Sequence, residues 1–210
     1  MKLFFDDDIN IVEAGIDEAG RGCLSGRVYV GAVILPREFP DDKYKEIKDS
    51  KKLSKKKRTE LKEYIEKNAI SYSVSYTEPS VIDSKNILEA TLDTMHDCVN
   101  KLIAKGIKPD LLLVDGNRWK MYTTTEGDVI PNQLIKSGDN KYYSIAAASI
   151  LAKVYHDEHI KFLCNQNPDY NKYDWLNNMC YGTKKHLEAI EKYGITKYHR
   201  KTFGICKRFS

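Results

Sequence analysis

No stretch of this 210-residue chain approaches the roughly 18 consecutive apolar residues that a membrane-spanning helix needs, so no membrane partner is expected. The opening Met1-Lys2-Leu3-Phe4-Phe5-Asp6-Asp7-Asp8 has no apolar segment ahead of its acidic run, so no secretory leader is expected. Cysteine is sparse: five residues, odd in number, widely spaced and never in a C-x-x-C pair. That excludes a disulfide framework and a zinc site, and the five read as reduced thiols of a cytoplasmic protein. Internal repeats and low-complexity tracts are missing as well. Neither sign of charge dominates, since 34 Lys and Arg against 30 Asp and Glu leave only +4.

What is present suits an ordinary globular chain, with 41% hydrophobic residues in a length that fits one large domain or one domain with a short appendage. The small positive excess is unevenly spread. Residues 51–58 hold six bases and no acid, and residues 184–208 hold eight bases against Glu188 and Glu191. Localised positive charge favours a polyanionic partner, although each run alone also describes a solvated helix face.

Residues 10–16 and 28–35 are apolar, β-rich runs joined by a connection containing Gly20, Gly22 and Gly26, and both are expected to be strands. Residues 70–76 alternate apolar and small polar side chains at period two, the pattern of a half-buried strand. Residues 111–114 are continuously apolar, as in a strand covered on both faces, and a short fifth strand is expected at residues 133–135. Leu88, Leu92, Met95, Val99 and Leu102 recur at helical spacing, with Gly106 as a stop. Further helices are expected through Leu61, Tyr64 and Ile65, over residues 144–155, and over residues 184–193 between Thr183 and Gly194. From about Ile160 the chain turns aromatic, Asn-rich and basic, which marks a small C-terminal subdomain. The order of elements predicts an α/β fold with a mixed sheet covered by helices.

Asp17 and Glu18 end the first strand run, and Asp115 ends the buried fourth one. Carboxylates gathered at the tips of apolar strands repel one another unless a divalent cation neutralises them. The same spacing also describes a turn at Asp115-Gly116-Asn117 and a solvated strand exit at Asp17-Glu18.

The surrounding residues sharpen this reading. Gly15-Ile16-Asp17-Glu18-Ala19-Gly20-Arg21-Gly22, Asp49-Ser50-Lys51-Lys52-Leu53-Ser54, Val114-Asp115-Gly116-Asn117, Gly138-Asp139, Ala147-Ala148-Ser149-Ile150-Leu151-Ala152-Lys153 and Tyr181-Gly182-Thr183 resemble ribonuclease HII, in that family's order. The resemblance implies an RNase H-like mixed five-stranded sheet flanked by helices over residues 1–159, and a C-terminal helical extension over residues 160–210. It implies an endoribonuclease that hydrolyses the RNA strand of RNA/DNA hybrids and incises 5′ of ribonucleotides embedded in duplex DNA. The products carry 3′-hydroxyl and 5′-phosphate ends, as repair of ribonucleotides in DNA and removal of RNA primers require.

The family's catalytic and metal-binding carboxylates map onto Asp17, Glu18, Asp115 and a later Asp, for which the chain offers Asp128, Asp139 and Asp157. Asp139 matches best, standing in Lys136-Ser137-Gly138-Asp139 just before the Ala-rich helix, with the lysine displaced by one position. Asp157 is expected to pair with Lys153 instead. Two divalent ions, Mg²⁺ or Mn²⁺, are implied, with water as the nucleophile.

The resemblance also implies that Gly20, Arg21 and Gly22 approach the junction and that Tyr181 reads the 2′-hydroxyl, the group that marks RNA. Ser50 and Lys51 are either phosphate contacts or a solvated loop. Arg200 and Lys201 are expected to bind backbone phosphates. All five histidines read as surface or structural, with approach of His186 and His199 to a phosphate as the alternative, and the two tryptophans, Trp119 and Trp175, carry no assigned role. The chain departs from the family at Arg27, where proline is usual, and at Met179-Cys180, where Lys-Gly is usual. A sister enzyme, ribonuclease HIII, is disfavoured because about nine residues precede the first strand, short of a further N-terminal domain. A silent nucleic-acid-binding module is disfavoured by retention of all four acids. The chain is expected to be a monomer, and Gly204-Ile205-Cys206-Lys207-Arg208-Phe209-Ser210 shows no obvious sliding-clamp peptide.

Overall fold

A computed structural model describes residues 1–209; Ser210, the last residue of the expected extension, lies outside them. The two apolar runs flanking the glycine-rich connection form β1 (Glu13–Ala19) and β2 (Val28–Ile34), paired antiparallel. The first strand thus starts three residues later than residues 10–16 predict and continues through Asp17 and Glu18. Its cause lies in its partner. β2 supplies ladder positions as far as Tyr29 opposite Ala19, whereas upstream the chain turns, the Ile11 N–H donating to the Asp8 carbonyl at 3.2 Å.

β3 (Ser71–Thr77) adds antiparallel to β2, β4 (Leu111–Asp115) lies parallel to β1, and β5 (Asn132–Ile135) lies parallel to β4. The result is the expected five-stranded mixed sheet, in the order β3-β2-β1-β4-β5. In β3 the serines are the more deeply buried half of the alternation. Small side chains let a helix come close there, and the Ser73 hydroxyl donates to the Cys98 carbonyl of that helix at 2.8 Å.

That helix follows α1 (Lys55–Asn68) and α2 (Pro79–Lys85), and is α3 (Ile87–Ala104). Its Leu92, Met95, Val99 and Leu102 cover one sheet face, against Ile16, Val30, Leu112 and Val114. Asn86 caps its start, accepting from the N–H groups of Leu88 and Glu89 at 2.9 and 3.1 Å.

The opposite face is covered by α1 and by α4 (Tyr143–Gln166). Gly15 in β1 allows α4 to touch the sheet, because a Cβ there would stand 2.2 Å from the Ser144 carbonyl carbon. α4 does not end near Tyr155 as its pattern suggests but runs on to Gln166. Its last apolar residues, Ile160, Leu163 and Cys164, are buried, and Ile160 and Cys164 pack with Trp175, Met179, Cys180, Ile190 and Cys206 of the C-terminal region. The change of pattern at Ile160 therefore marks a change of neighbour within one helix.

The C-terminal region adds α5 (Trp175–Asn178) and α6 (Lys184–Tyr193), the latter capped by the Thr183 hydroxyl. Trp175, without a role in the sequence reading, is a fully buried centre of this cluster. All five cysteines are free and buried, and among the described residues no helix is long and apolar enough to cross a membrane.

Candidate active site

The parallel register of β1 and β4 pairs Ile16 with Val114, so Asp17 and Asp115 stand one residue further along neighbouring strands. Ile16 and Val114 face α3; by the period-two pleat, the next residue on each strand is directed to the α4 side. Glu18 turns back toward α3, where it lines a groove with Asp115, Met95, Asn117 and Arg118. The two adjacent acids of β1 thus straddle the end of the sheet.

A cleft of about 480 Å³ opens beside them. Asp17, Glu18, Gly20, Arg21, Gly22, Ser50, Lys51 and Tyr181 all line it, so residues from three distant stretches of sequence meet there. Asp115 joins from the adjoining groove. Its Oδ1 accepts the Gly138 N–H at 2.7 Å, which draws in the turn that carries Asp139.

Of the three later acids, Asp139 stands close enough for the charge of Asp115 to raise its carboxyl. Asp128 is ion-paired with Lys108. Asp157 pairs with Lys153 at 2.7 Å, as expected, and also with His156 Nδ1 at 3.0 Å. Burial would raise the Asp157 carboxyl, but hydrogen bonds from His156 and Lys153 hold it below its usual range.

The electrostatics of the acids are unbalanced. Burial, with the charges of Glu18 and Asp115 added, pushes Asp17 well above the usual carboxylate range, although the Glu18 N–H donates to its Oδ1 at 2.7 Å. Burial also raises Glu18; Arg21, whose Nη1 lies 3.4 Å from Oε1, opposes this, and Asp115 adds to it. Asp139 is raised by burial, then by Asp49 and Asp115, against Lys51 and the Asn140 amide at 2.9 Å.

Among the described residues, no three His, Cys, Asp or Glu side chains form a ready metal cage in this conformation. The donor chemistry nevertheless fits a hard divalent cation. The donors are carboxylate oxygens, and desolvation and mutual repulsion are the two costs that a dication's charge offsets.

Ser50 is buried, its hydroxyl 2.9 Å from that of Ser149, and its carbonyl accepts from Arg58 Nη1 at 2.9 Å. Arg58 is thus withdrawn from the expected basic face to hold this turn, while Lys51, Lys52, Lys55 and Lys56 stay exposed. Tyr181 is 40% exposed at the cleft rim, its ring edge 3.8 Å from where a Gly22 Cβ would lie. Burial, followed by the charge of Cys23, raises its phenol, so the hydroxyl stays protonated and can donate. The Lys153 ammonium lies 5.6 Å from its ring centroid.

In the basic tail, phosphate binding by Arg200 is overturned, and of the two readings of His186 and His199 the structural one holds. His186 and His199 are buried, packed against Trp175 and Tyr173. Arg200 is fully buried and donates to backbone carbonyls. Its charge could not be distinguished in sequence from that of its exposed neighbour Lys201.

The departures from the family pattern also resolve. Arg27 turns away to Glu78, at 2.8 and 2.5 Å, and stacks 3.8 Å from the Tyr76 ring centroid. Met179 and Cys180 occupy left-handed backbone, with φ of 47° and 66°, and bury their side chains in the C-terminal cluster. Ser149 and Lys153 were not singled out as site residues, yet both line the cleft. The signal was there: Ser149, Lys153 and Asp157 recur at intervals of four on an otherwise apolar helix, the spacing of one face.

Comparisons with known proteins agree with this fold. The family model described as Ribonuclease HII matches residues 14–206. Ribonuclease HII of Parabacteroides distasonis is 48% identical over 194 residues, covering 92% of this chain and 90% of that protein. The crystal structure of ribonuclease H2 from Pyrococcus horikoshii OT3 superposes with a TM-score of 0.73 at 23% identity, covering 95% of this chain and 97% of that one. Bst-RNase HIII, solved in complex with Mn²⁺, superposes with a TM-score of 0.69 at 19% identity, covering 94% of this chain and 68% of that one. At these identities the two structures speak for the fold.

Proposed function

Because the chain belongs to the ribonuclease HII family, and is therefore a ribonuclease H acting on RNA/DNA hybrids, we propose that it also incises duplex DNA on the 5′ side of an embedded ribonucleotide. The products have 3′-hydroxyl and 5′-phosphate ends, and the reaction serves removal of ribonucleotides and RNA primers from DNA. The observation that carries this reading is the common cleft. Asp17 and Glu18 at the end of β1 share it with the Gly20-Arg21-Gly22 backbone and Tyr181, and Asp115 at the end of β4 stands in the adjoining groove that Glu18 also lines.

Asp17, Glu18, Asp115 and Asp139 would hold two Mg²⁺ or Mn²⁺ ions; the manganese complex of Bst-RNase HIII supports divalent metal use in a related fold. When bound, such ions activate water and stabilise the leaving 3′ oxygen. The protein's own residues supply the rest. No histidine lines the cleft, so the reading assigns no side-chain nucleophile or imidazole base. Tyr181 donates its hydroxyl proton to the 2′-oxygen, and residues 20–22 present backbone to the same nucleotide. Lys51 and the exposed lysines at 52, 55 and 56 attract the phosphate backbone, so binding weakens with salt. Arg21 pairs with Glu18 and keeps that carboxylate oriented at the junction of cleft and groove. We place the enzyme in the cytoplasm, a reading supported by its five free, buried thiols, and propose that it acts as a monomer.

The test is cleavage of a labelled DNA duplex carrying one ribonucleotide, beside an all-DNA duplex, with Mg²⁺, Mn²⁺ or chelator, for the wild type and Asp115→Asn. Metal-dependent incision immediately 5′ of the ribonucleotide, absent in the variant, is the expected result. A duplex that is bound but left intact under every metal condition would replace this reading with a binding module.

A further inference from the structure

Arg200 is the one cation of the tail with no exposed surface. Its Nε donates to the Gly26 carbonyl at 3.0 Å, Nη1 to Arg21 at 2.9 Å, and Nη2 to Gly20 at 2.7 Å and Arg27 at 3.1 Å. These four carbonyls belong to the two ends of the β1–β2 connection, whose residues 20–22 line the cleft. The neighbouring backbone is tied to the same connection: the Arg200 N–H donates to Leu24 and the Gly26 N–H to Tyr198, both at 2.8 Å. Beneath the loop, Gly20 has φ of +84° and a Cβ there would lie 2.5 Å from the His156 ring, so the turn takes glycine and packs directly on that ring.

Carbonyls in a loop lack ladder partners and must be satisfied elsewhere. A planar guanidinium offers five N–H groups in a fixed fork and can bridge both ends of a loop, whereas lysine gathers three at one point. Burying a cation against neutral carbonyls is a costly way to fill a core, where an apolar side chain would serve stability as well. The placement therefore has a reason beyond packing, and the loop it grips supplies one.

We propose that Arg200 is a positioning residue for ribonucleotide recognition: it fixes the backbone of residues 20–22 at the spacing that meets the 2′-hydroxyl, and it contacts neither phosphate nor substrate itself. This rests on the junction-cutting activity proposed above. A long hybrid offers a 2′-hydroxyl in every register, but a single ribonucleotide offers only one. Loss of the grip therefore weakens junction cutting more than hybrid cutting.

The experiment compares wild type with Arg200→Lys, which keeps the charge and loses the fork. It measures kcat/KM on a single-ribonucleotide duplex divided by kcat/KM on a long hybrid, together with the salt dependence of binding to an all-DNA duplex. Any unfolded fraction cancels from the ratio. The ratio is expected to fall about tenfold or more, with the salt slope unchanged. An unchanged ratio overturns the proposal, as does a slope shallower by about one, the mark of a lost phosphate contact.

If Arg200→Lys does not fold, the wild-type protein decides. Its Arg200 Nε–H resonance is expected to be protected from exchange and unmoved when the all-DNA duplex is added, and a shift on binding overturns the assignment. Failure of the wild type to cut the single-ribonucleotide duplex defeats the underlying activity instead, and is seen before any variant is made.

Discussion

Asp17 and Asp115 sit one residue beyond the paired Ile16 and Val114 on adjacent parallel strands, and the charge of Asp115 is among the causes that raise the Asp17 carboxyl. The fold thus places an acid against an acid in a buried position, at a cost to its own stability. Such an arrangement persists where function needs it.

Asp17→Asn is therefore expected to abolish nearly all cleavage, by about a hundredfold or more, while raising the melting temperature of the metal-free protein by a few degrees. The sign follows from linkage: the folded Asp17 holds its proton to higher pH than the unfolded value near 3.8, so its contribution to metal-free stability declines as pH rises through the raised value. Melting curves in chelator and in excess Mg²⁺, beside the cleavage assay, check both halves. A variant that melts lower than wild type in chelator removes the repulsion argument.

Tyr181→Phe deletes only the hydroxyl, and Tyr181→Ala deletes the ring at the cleft rim as well. Both are expected to slow cutting at a single ribonucleotide more than cutting of a long hybrid, the alanine variant the more severely. Equal losses on every RNA-containing substrate would deny Tyr181 its role at the junction.

His199 is buried, and desolvation followed by the nearby His186 lowers its pKa to about 3. Its neighbours set the proton positions. The Thr196 N–H donates to Nδ1 at 2.9 Å, leaving Nε2 to donate to His186 Nε2 at 3.2 Å, while His186 Nδ1 donates to the Tyr181 carbonyl at 3.0 Å. Between the ordinary value of 6.5 and about 3, the unfolded chain takes up a proton that the folded one refuses. Stability should fall progressively as pH drops through that window. Urea midpoints at pH 7, 6, 5 and 4 measure it, and His199→Gln is expected to flatten the dependence.

Gly15→Ala would drive a methyl into the Ser144 carbonyl carbon at 2.2 Å and the Ile145 nitrogen at 2.4 Å, both backbone atoms with no rotamer to yield. A loss of about 2–4 kcal/mol is expected, with lower activity because the displaced helix carries Ser149 and Lys153. Chemical denaturation and the hybrid assay test this; unaltered stability would mean that α4 can slide without penalty.

Much of this protein was legible without coordinates. The apolar run of β4 and the spacing of Leu88, Leu92, Met95, Val99 and Leu102 identify a covered strand and an amphipathic helix, because burial on two faces or one leaves a direct imprint on residue order. The acids at the ends of such strands were equally visible, being polar residues where an apolar run stops. Helix α4 was misjudged in length because periodicity registers a buried face and not its neighbour: the stripe continues from the sheet onto the C-terminal cluster.

Arg200 and Arg58 show the other limit. Each belongs to a basic run in sequence, and each is folded inward to bind carbonyl oxygens, Arg200 at the β1–β2 connection and Arg58 at Ser50 and Leu53. A guanidinium has the same formal charge whether phosphate, water or backbone receives its protons, so composition cannot distinguish them. Residue order determined the strands, the helices and the stock of carboxylates, since these depend on local periodicity. Which acids face each other, and which cations are spent inside the protein, depended on strand register and helix packing, where contacts join residues as far apart as Gly20 and Arg200.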